Sequence, residues 1–262
     1  MILERFRKMK KTRAALCLTV LSTMILTLAS CFGDVENEYR VTVPTFATVT
    51  YDEGGKVRLY LDENRGIIDP SPESANIKWG NTTRALIKYD LPIIMGENIS
   101  MENRRFEGIV RSAVKIDTVA MVDVTGLDKY PDTLGNDTLL GFNFHAYWGY
   151  ITMQVWMANN FNFEMTCSYD REKFDGENLY LNLHYAEKPG TWNNDFLQTV
   201  SATLPEFVRK EGAVTSDSLN IIMSAPVWCN ADKDSAYVDT VKFKISRGRL
   251  TPPTFGYITG KN

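Results

Sequence analysis

From residue 39 onward, apolar and polar positions alternate with a period of two, which is typical of half-buried β-strands. Val57, Leu59 and Leu61 show this alternation directly after the turn sequence at residues 52–55, where two glycines permit a positive φ. Further candidate strands lie at residues 84–89, 105–111 and 114–124. Five strands within about 80 residues, with no convincing amphipathic helix, predict a small barrel.

The second half of the chain repeats this alternation over longer strands. In each candidate strand the apolar side chains share one face: Leu140, Phe142, Phe144, Ala146 and Trp148; Ile151, Met153, Val155 and Met157; Phe161, Phe163, Met165 and Cys167; Leu179, Leu181, Leu183 and Tyr185; Val241, Phe243 and Ile245. Only residues 195–210 contain helix-like stretches, and Pro205 interrupts them. One-sided alternation over many adjacent strands predicts a β-sandwich.

The whole pattern therefore predicts an all-β chain. An OB-like small barrel at residues 39–115 precedes an antiparallel β-sandwich at residues 116–262. We place the boundary near Lys115, because the two parts differ in charge. Residues 39–115 hold 11 basic and 10 acidic residues, whereas residues 116–262 hold 12 basic and 18 acidic residues.

Residues 1–30 have the features of a secretory leader, since six basic residues precede an uncharged apolar run at residues 14–28. The run ends in Leu-Ala-Ser-Cys at residues 28–31, which resembles the lipobox of bacterial lipoproteins. In that motif, cleavage before the cysteine leaves a thiol that carries diacylglycerol, which here predicts lipidation of Cys31. A plain secretory leader is the weaker alternative. A spanning helix is weaker still, because the run is shorter than the ~20 residues that cross a bilayer.

Residues 31–38 form a short acidic tether. It is similar to the export signals of surface lipoproteins in the Bacteroidetes, and an ordinary solvated linker would have the same composition. We therefore predict a protein that is anchored in the outer membrane through its N-terminal lipid, on the cell surface or, alternatively, on the periplasmic face.

Charge and cysteine content limit the chemistry further. The chain has 29 basic and 32 acidic residues, of which 23 basic and 31 acidic residues would remain after removal of the leader. The resulting net charge of −8 argues against a general nucleic-acid binder. Cys17 would leave with the leader, so Cys167 and Cys229 remain. They form either a disulfide in an oxidising compartment or two buried free thiols. With two histidines in the chain, a Cys/His zinc site is not expected, and no cofactor is predicted.

The combination of lipobox, acidic tether, barrel-like module and aromatic-rich β module resembles the NigD-like lipoproteins of Bacteroidetes. The resemblance lies in the domain order and in the residue pattern of the strands, and it includes no catalytic motif. It is carried by residues 39–61, 116–124 and 178–187. It implies an OB-type N-terminal domain and a C-terminal β-sandwich. The family takes its name from a bacteriocin-related locus, and its biochemical role is largely undefined.

The two histidines and the acidic clusters are the candidates for catalysis and for metal binding. His145 and His184 fall on the polar faces of their strands, where a surface or second-layer role is usual. The sequence has no Gly-x-Ser-x-Gly motif that would mark a hydrolase nucleophile. Acidic residues cluster at Asp170, Glu172, Asp175 and Glu177, and at Asp123, Asp128, Asp132 and Asp137, without the spacing of a calcium loop. We predict no catalytic residue and no metal site.

Binding surfaces are the other source of function. An OB-type barrel raises the question of oligonucleotide binding, for which the candidate groove is Arg58, Arg84, Lys88, Arg104, Arg105 and Arg111, with Tyr60, Tyr89 and Phe106 as platforms. The near-neutral charge of this module and its predicted location outside the cytoplasm argue against that use. A carbohydrate or peptide suits the second module better, because its aromatics combine flat apolar area with polar groups: Tyr147, Trp148, Tyr150, Trp156 and Trp192.

A tripeptide of Asp, a hydroxyl residue and a small-to-medium apolar residue recurs in the second module. The six copies start at Asp117, Asp132, Asp137, Asp217, Asp234 and Asp239. The tripeptide resembles the O-glycosylation acceptor of exported Bacteroidetes proteins. Ordinary turn chemistry explains some copies. Thr133 and Thr138 lie in a polar loop, so these two are the predicted glycan acceptors.

These observations predict a non-enzymatic outer-membrane lipoprotein with a binding or accessory role in the envelope. Its partner would be an envelope protein, a peptide or a carbohydrate, and not a nucleic acid. The first alternative is an envelope hydrolase with a site between the two modules, around His145 or His184. The second is a bacteriocin-associated or immunity protein, which rests on the family name.

Overall fold

The computed structural model describes residues 39–41, 44–63, 66–92, 104–128, 134–135, 137–157, 163–188, 196–210, 212–229 and 233–253. The predicted leader, the tether, Cys31 and Thr133 lie outside these residues. The chain divides into two compact units, one of Met1–Arg40 with Pro92–Met95 and one of Val41–Leu91 with Gly96–Asn262. In the first unit, the described residues are the strand positions Tyr39, Arg40 and Pro92.

The described elements are almost all strands. They are β1 (Tyr39–Val41), β2 (Thr45–Tyr51), β3 (Val57–Leu61), β4 (Ile67–Pro70), β5 (Arg84–Pro92), β6 (Arg105–Lys115), β7 (Asp117–Thr118), β8 (Ala120–Asp123), β9 (Gly141–Tyr147), β10 (Tyr150–Met157), β11 (Phe163–Tyr169), β12 (Asn178–Glu187), β13 (Phe196–Thr203), β14 (Ser218–Trp228) and β15 (Ala236–Ser246). The helical segments are short: α1 (Glu206–Arg209) and the 3-10 turns Pro72–Ser74, Arg171–Lys173 and Arg247–Arg249. No helix within the described ranges is long and apolar enough to cross a membrane.

Strands β2 to β6 form a closed barrel. They are ordered β5-β2-β3-β4-β6, and β6 pairs again with β5, so that no open edge separates these two strands. Only the β4–β6 pair among them is parallel, and a bulge between Lys88 and Tyr89 bends the closing pair. Alternate residues point inward, such as Val49, Leu59 and Ile87, and are buried.

Two further sheets pack face to face as a sandwich. One has the order β7-β13-β10-β9 and the other β15-β14-β12-β11-β8. Their inward side chains, among them Met153, Leu181 and Met223, form one continuous core. The predicted all-β fold of a barrel followed by a sandwich is confirmed. The division of the chain near Lys115 stays an interpretation, because barrel and sandwich belong to the same compact unit.

The structure corrects the sequence-based picture in three details. The sandwich is not purely antiparallel, because β7–β13, β8–β11 and β12–β14 are parallel pairs. For β12 and β14 the reason is that β13 lies between them in the chain but in the other sheet. The apolar run at residues 114–124 is not one strand but is divided among the end of β6, β7 and β8. Trp148 does not face the core, because it lies in the β9–β10 turn with a φ of 54°.

Cys167 and Cys229 are both free thiols, so the structure does not contain the disulfide that was one of the two sequence-based alternatives. Cys167 is enclosed in the sandwich core with its Sγ 3.5 Å from Met153 Sδ, whereas Cys229 is exposed just after β14. Burial raises the pKa of the Cys167 thiol to about 12.

This difference in exposure predicts the reactivity of the two thiols. Iodoacetamide should modify Cys229 within minutes in the native protein, and it should modify Cys167 only after unfolding, since the thiolate is the nucleophile. Intact mass before and after treatment would count the labels. A disulfide-linked mass with no label in the native protein would contradict the free-thiol structure.

Candidate functional site

The contact between barrel and sandwich is centred on a buried ion pair. Arg84 on β5 is fully buried, and its guanidinium donates to both carboxylate oxygens of Asp62, at 2.9 and 2.6 Å. The same guanidinium donates to Thr48 Oγ1 at 2.8 Å in the barrel and to Thr152 Oγ1 at 2.6 Å in the sandwich. One barrel side chain therefore bridges two β-modules through charge-assisted hydrogen bonds.

His145 belongs to this same cluster. Its Nε2 lies 3.0 Å from Asp62 Oδ2, and its ring packs 5.1 Å from the ring of Phe46. Burial by itself would raise the pKa of Asp62, but attraction to Arg84 and hydrogen bonds from Arg84 and His145 outweigh it, so the pKa is lowered. The carboxylate is thus held ionised by Arg84, and the imidazole completes a structural cluster between the modules.

The β9–β10 turn extends this contact. The indole Nε1 of Trp148 donates to the carbonyl oxygen of Leu61 at 3.0 Å, and its ring packs edge-on against Tyr60. The guanidinium of Arg249 lies over the Trp148 ring, 4.8 Å from its centroid. Trp148 is therefore an inter-module contact and not a surface platform for a ligand.

His184 lies in a different place, on the outer face of the second sheet. Its Nε2 is 2.7 Å from Ser168 Oγ, and both residues are buried, with Ser168 at 0% exposure. The pKa of His184 is lowered, because the effect of desolvation exceeds that of a hydrogen bond to the backbone of Gly135, which would raise it. The neutral imidazole can then donate to the Gly135 carbonyl and accept the Ser168 hydroxyl proton.

This pair has two parts of a Ser, His, Asp set and lacks the access that catalysis needs. The group that orients His184 is a backbone carbonyl instead of a carboxylate. Ser168 is enclosed, so a substrate carbonyl could not reach its oxygen without a rearrangement of the fold. The structure does not bring His145 and His184 together, since they lie on different sheets.

The basic groove considered for the barrel is largely engaged inside the protein. The arginines form the ion pairs Arg58–Asp69, Arg84–Asp62, Arg105–Asp69 and Arg111–Asp90. Arg58 and Arg84 are buried, and the platform candidates Tyr60 and Tyr89 are buried as well. Four of the six basic candidates therefore pair with carboxylates of the same module, and two of these four are buried and cannot line an open groove.

Asp170 and Asp175 of the first acidic cluster are engaged in local structure, and Asp132 of the second cluster lies outside the described residues. Asp170 accepts a hydrogen bond from the Glu172 amide at 3.0 Å, and Asp175 accepts from the amides of Glu177 and Asn178 at 2.9 and 2.7 Å. These are the side-chain-to-backbone bonds of turns. Within the described residues, no group of three His, Cys, Asp or Glu is placed to hold a metal ion.

An open cleft of about 200 Å³ lies on the outer face of the second sheet. It is lined by Asp170, Lys173, Tyr180, Leu181, Asn182, Ile222 and Ser224. Tyr180 is paired with Ile222 and Asn182 with Ser224 across the parallel β12–β14 ladder, so their side chains form the floor. The 3-10 turn Arg171–Lys173 adds one wall, with Lys173 Nζ 3.5 Å from Asp170 Oδ2. This is the candidate functional site.

The sequence pattern placed Asp170 in an acidic cluster without the spacing of a calcium loop, and it did not indicate the other residues of the cleft. A local signal was present, because Tyr180 and Asn182 are the polar-face positions that alternate with the core residue Leu181 on β12. Their neighbours Ile222 and Ser224 come from a strand about 40 positions later in the chain, so the concavity has no local signature.

The aromatic candidates of the second module differ in exposure and in position. Trp156 exposes 41% of its surface beside Leu197, its cross-strand neighbour on β13, and together they form a flat exposed patch. Tyr147 and Tyr150 are half-buried at the inter-module end of their strands. Trp192 lies outside the described residues. The Trp156 patch is a second exposed aromatic surface of this module.

Of the two predicted glycan acceptors, Thr138 is described and is half-buried. The carboxylate of the preceding Asp137 accepts a hydrogen bond from the Glu187 amide at 2.7 Å, and the Asp137 amide donates to the Tyr185 carbonyl at 2.9 Å. The tripeptide at Asp137 is therefore attached to the end of β12. Glycosylation at these sites stays a prediction.

No family profile matches the sequence, and no curated protein matches it. Solved structures do resemble the fold. A protein of unknown function from Parabacteroides merdae is 12% identical, with a TM-score of 0.57 over 79% of this chain and 99% of its own. A candidate lipoprotein from Bacteroides fragilis is 12% identical, with a TM-score of 0.56 over 78% of this chain and 98% of its own.

A NigD-like immunity protein from Bacteroides caccae is also similar, at 13% identity with a TM-score of 0.50, over 76% of this chain and 91% of its own. Identities of this size establish likeness of fold and nothing more specific. At that level the resemblance to NigD-like proteins, which the sequence pattern indicated, is confirmed.

Proposed function

We propose that this chain is a lipid-anchored protein of the bacterial envelope with a binding role and no catalytic activity. The chain would be attached to the outer membrane through Cys31, facing the cell surface or, alternatively, the periplasm. The similarity of its fold to that of a candidate lipoprotein supports the anchoring. The lipobox-like sequence before Cys31 supports it independently.

One observation carries the binding role in preference to catalysis. Both histidines are engaged within the fold, His145 with an ion-paired carboxylate and His184 with an enclosed serine, while the open cleft presents a tyrosine ring beside amide and hydroxyl groups. An open, mixed polar and aromatic surface is suited to reversible recognition.

The binding role is tested by capture from the envelope. The native lipoprotein, carrying a C-terminal affinity tag, would be purified from mild-detergent envelope extracts, and the co-purified protein and carbohydrate would both be identified. We expect material that is enriched over a mock capture and is lost with Tyr180→Ala. The matched control is Tyr237→Ala, which removes a tyrosine of similar exposure from β15 of the same sheet. Enrichment that is unchanged by Tyr180→Ala would contradict the cleft as the binding surface.

The alternative of an envelope hydrolase has one observation in its favour, the 2.7 Å contact between Ser168 Oγ and His184 Nε2. A fluorophosphonate probe would react with an activated serine, and labelling that disappears in Ser168→Ala would establish it. We expect no labelling of the native protein, since Ser168 is enclosed.

The alternative of a bacteriocin-associated or immunity protein is supported by the fold of the NigD-like immunity protein and by that of a toxin-related protein from Parabacteroides distasonis, 12% identical with a TM-score of 0.54 over 79% of this chain and 94% of its own. The envelope capture decides this alternative as well, because a toxin partner would be recovered as a co-purified protein.

We also propose O-glycosylation of Thr133 and Thr138 in the native host. Peptides that span residues 132–139 of host-purified protein should carry a sugar mass, and Thr133→Ala with Thr138→Ala should remove it. Unmodified peptides from the host-purified protein would contradict the proposal.

A further inference from the structure

The ligand of the cleft can be specified more closely from its dimensions. A volume of about 200 Å³ is smaller than the roughly 300–1,000 Å³ of pockets that enclose drug-sized ligands. The floor is the outer face of β12 and β14, and the cleft opens to solvent beside the turn Arg171–Lys173. Such a site accommodates one small ring and leaves its substituents in solvent.

The apolar part of the cleft is a flat ring. Tyr180 exposes 41% of its surface although it lies in the middle of a five-stranded sheet, and Ile222 is its direct neighbour across the β12–β14 pair. Because β12 pairs with a strand on each side, the backbone of Tyr180 is fixed, and its side chain has few rotatable bonds to immobilise when a ligand packs on the ring. The face of a pyranose ring, which presents C–H groups, is complementary to this surface.

The polar part of the cleft surrounds that ring with hydrogen-bond donors and acceptors. The Asn182 amide both donates and accepts, the Ser224 hydroxyl does the same, and the Asp170 carboxylate accepts at several lone pairs. Ser224 Oγ is positioned by Thr240 Oγ1 at 2.9 Å. Sugar hydroxyls are donors and acceptors at once, so they match this set better than a carboxylate or an ammonium group would.

The charges of the cleft cancel. It is lined by one carboxylate and one ammonium group, on Asp170 and Lys173, and these lie 3.5 Å apart. An anionic ligand would have to compete with Asp170 for Lys173, and a cationic ligand would have to compete with Lys173 for Asp170. An uncharged ligand competes with neither.

We infer that the cleft binds one residue of an uncharged saccharide, with its apolar face on Tyr180 and its hydroxyls on Asn182, Ser224 and Asp170. This inference rests on the proposed binding role and names its ligand class. The sugar would be either a terminal residue of a glycan or a free monosaccharide, since both present the same ring.

The test is saturation-transfer NMR on the full mature chain. The probes are the methyl glycosides of glucose, galactose, mannose and N-acetylglucosamine, with glucuronic acid and glucosamine as charged comparators. We expect at least one neutral glycoside to bind and the charged sugars to bind more weakly. Tyr180→Ala should weaken binding roughly tenfold, as expected for loss of aromatic packing. Tyr180→Phe should bind within about twofold of the native protein, because it keeps the ring.

The control variant Tyr237→Ala should bind as the native protein does, and it also controls for general effects on the sheet. Absence of binding by every neutral glycoside at about 10 mM, or binding that Tyr180→Ala leaves unchanged, would overturn the inference. If the glycosides fail and the envelope capture still yields a protein that depends on Tyr180, the ligand class is wrong and the binding role stands. If both fail, the binding role is wrong too.

Discussion

Arg84→Met should lower the free energy of unfolding by about 3–5 kcal/mol, because it leaves the Asp62 carboxylate buried without its charged partner. Both side chains are almost completely enclosed, and the guanidinium makes four hydrogen bonds, one of them to Thr152 in the other module. Methionine retains much of the volume, so the loss is chiefly one of charge and hydrogen bonding. Urea denaturation followed by circular dichroism would measure it.

The double variant Asp62→Leu with Arg84→Met should recover a large part of that loss, since a buried pair that is replaced as a whole leaves no isolated charge. Lys210→Met is the matched control, because Lys210 is paired with Glu206 on an exposed helical turn and should change stability by less than about 1 kcal/mol. An Arg84→Met protein that unfolds at the same urea concentration as the control would contradict the assignment of this pair as the principal polar contact between the modules.

The same pair gives stability a definite pH dependence. Because the pKa of Asp62 is lower in the folded protein than in the unfolded chain, its contribution is fully present above the unfolded carboxyl value of about 3.9. That contribution is lost as the pH falls through the lower, folded pKa. Acid unfolding of Asp62→Asn should therefore depend less steeply on pH than that of the native protein in this range.

Cys31→Ala should release the protein from the membrane fraction of its host. The acyl chains would contribute about 0.8 kcal/mol for each CH₂ group buried in the bilayer, and they are the principal apolar anchor that the proposed lipoprotein would have after cleavage. Fractionation with a high-salt wash and immunodetection would measure the change. A native N-terminal peptide that begins at Cys31 and carries the acyl mass would identify the modification directly.

Cys17→Ala is the matched control, since this cysteine lies in the apolar run of the same leader but follows the bulky Leu16, where the lipobox-like sequence has the small Ser30. It should leave both the processing and the membrane fraction unchanged. A Cys31→Ala protein that still sediments with membranes after the salt wash would mean that lipid at this position does not anchor the chain.

The difference between the predicted and the observed role of Arg84 shows what alternation can and cannot establish. Alternation places Arg84 on the polar face of β5, which for an isolated barrel is the outer surface. In the folded protein the sandwich covers that surface, so the residue is buried with Asp62. A pattern with a period of two separates two faces of a strand but does not say whether a second module covers the outer one.

His184 and Ser168 illustrate the same limit on the other sheet. Both belong to the polar faces of β11 and β12, and both are enclosed. Gly135 explains part of this, because its backbone lies against the end of β12, where a Cβ would be 2.6 Å from the Tyr185 carbonyl oxygen. The approach of a segment that is about 50 residues distant in sequence has no signature in the strands that it approaches.

The all-β class, the barrel followed by a sandwich and most of the core follow from the pattern of residues along the chain, because burial in a strand follows from side-chain alternation, which is a local property. The tertiary structure alone decided the parallel pairs, the free thiols, the Arg84–Asp62 contact between modules and the cleft at Tyr180. Each of these depends on which distant segments become neighbours. That choice is made by the cooperative packing of two modules, and no single strand encodes it.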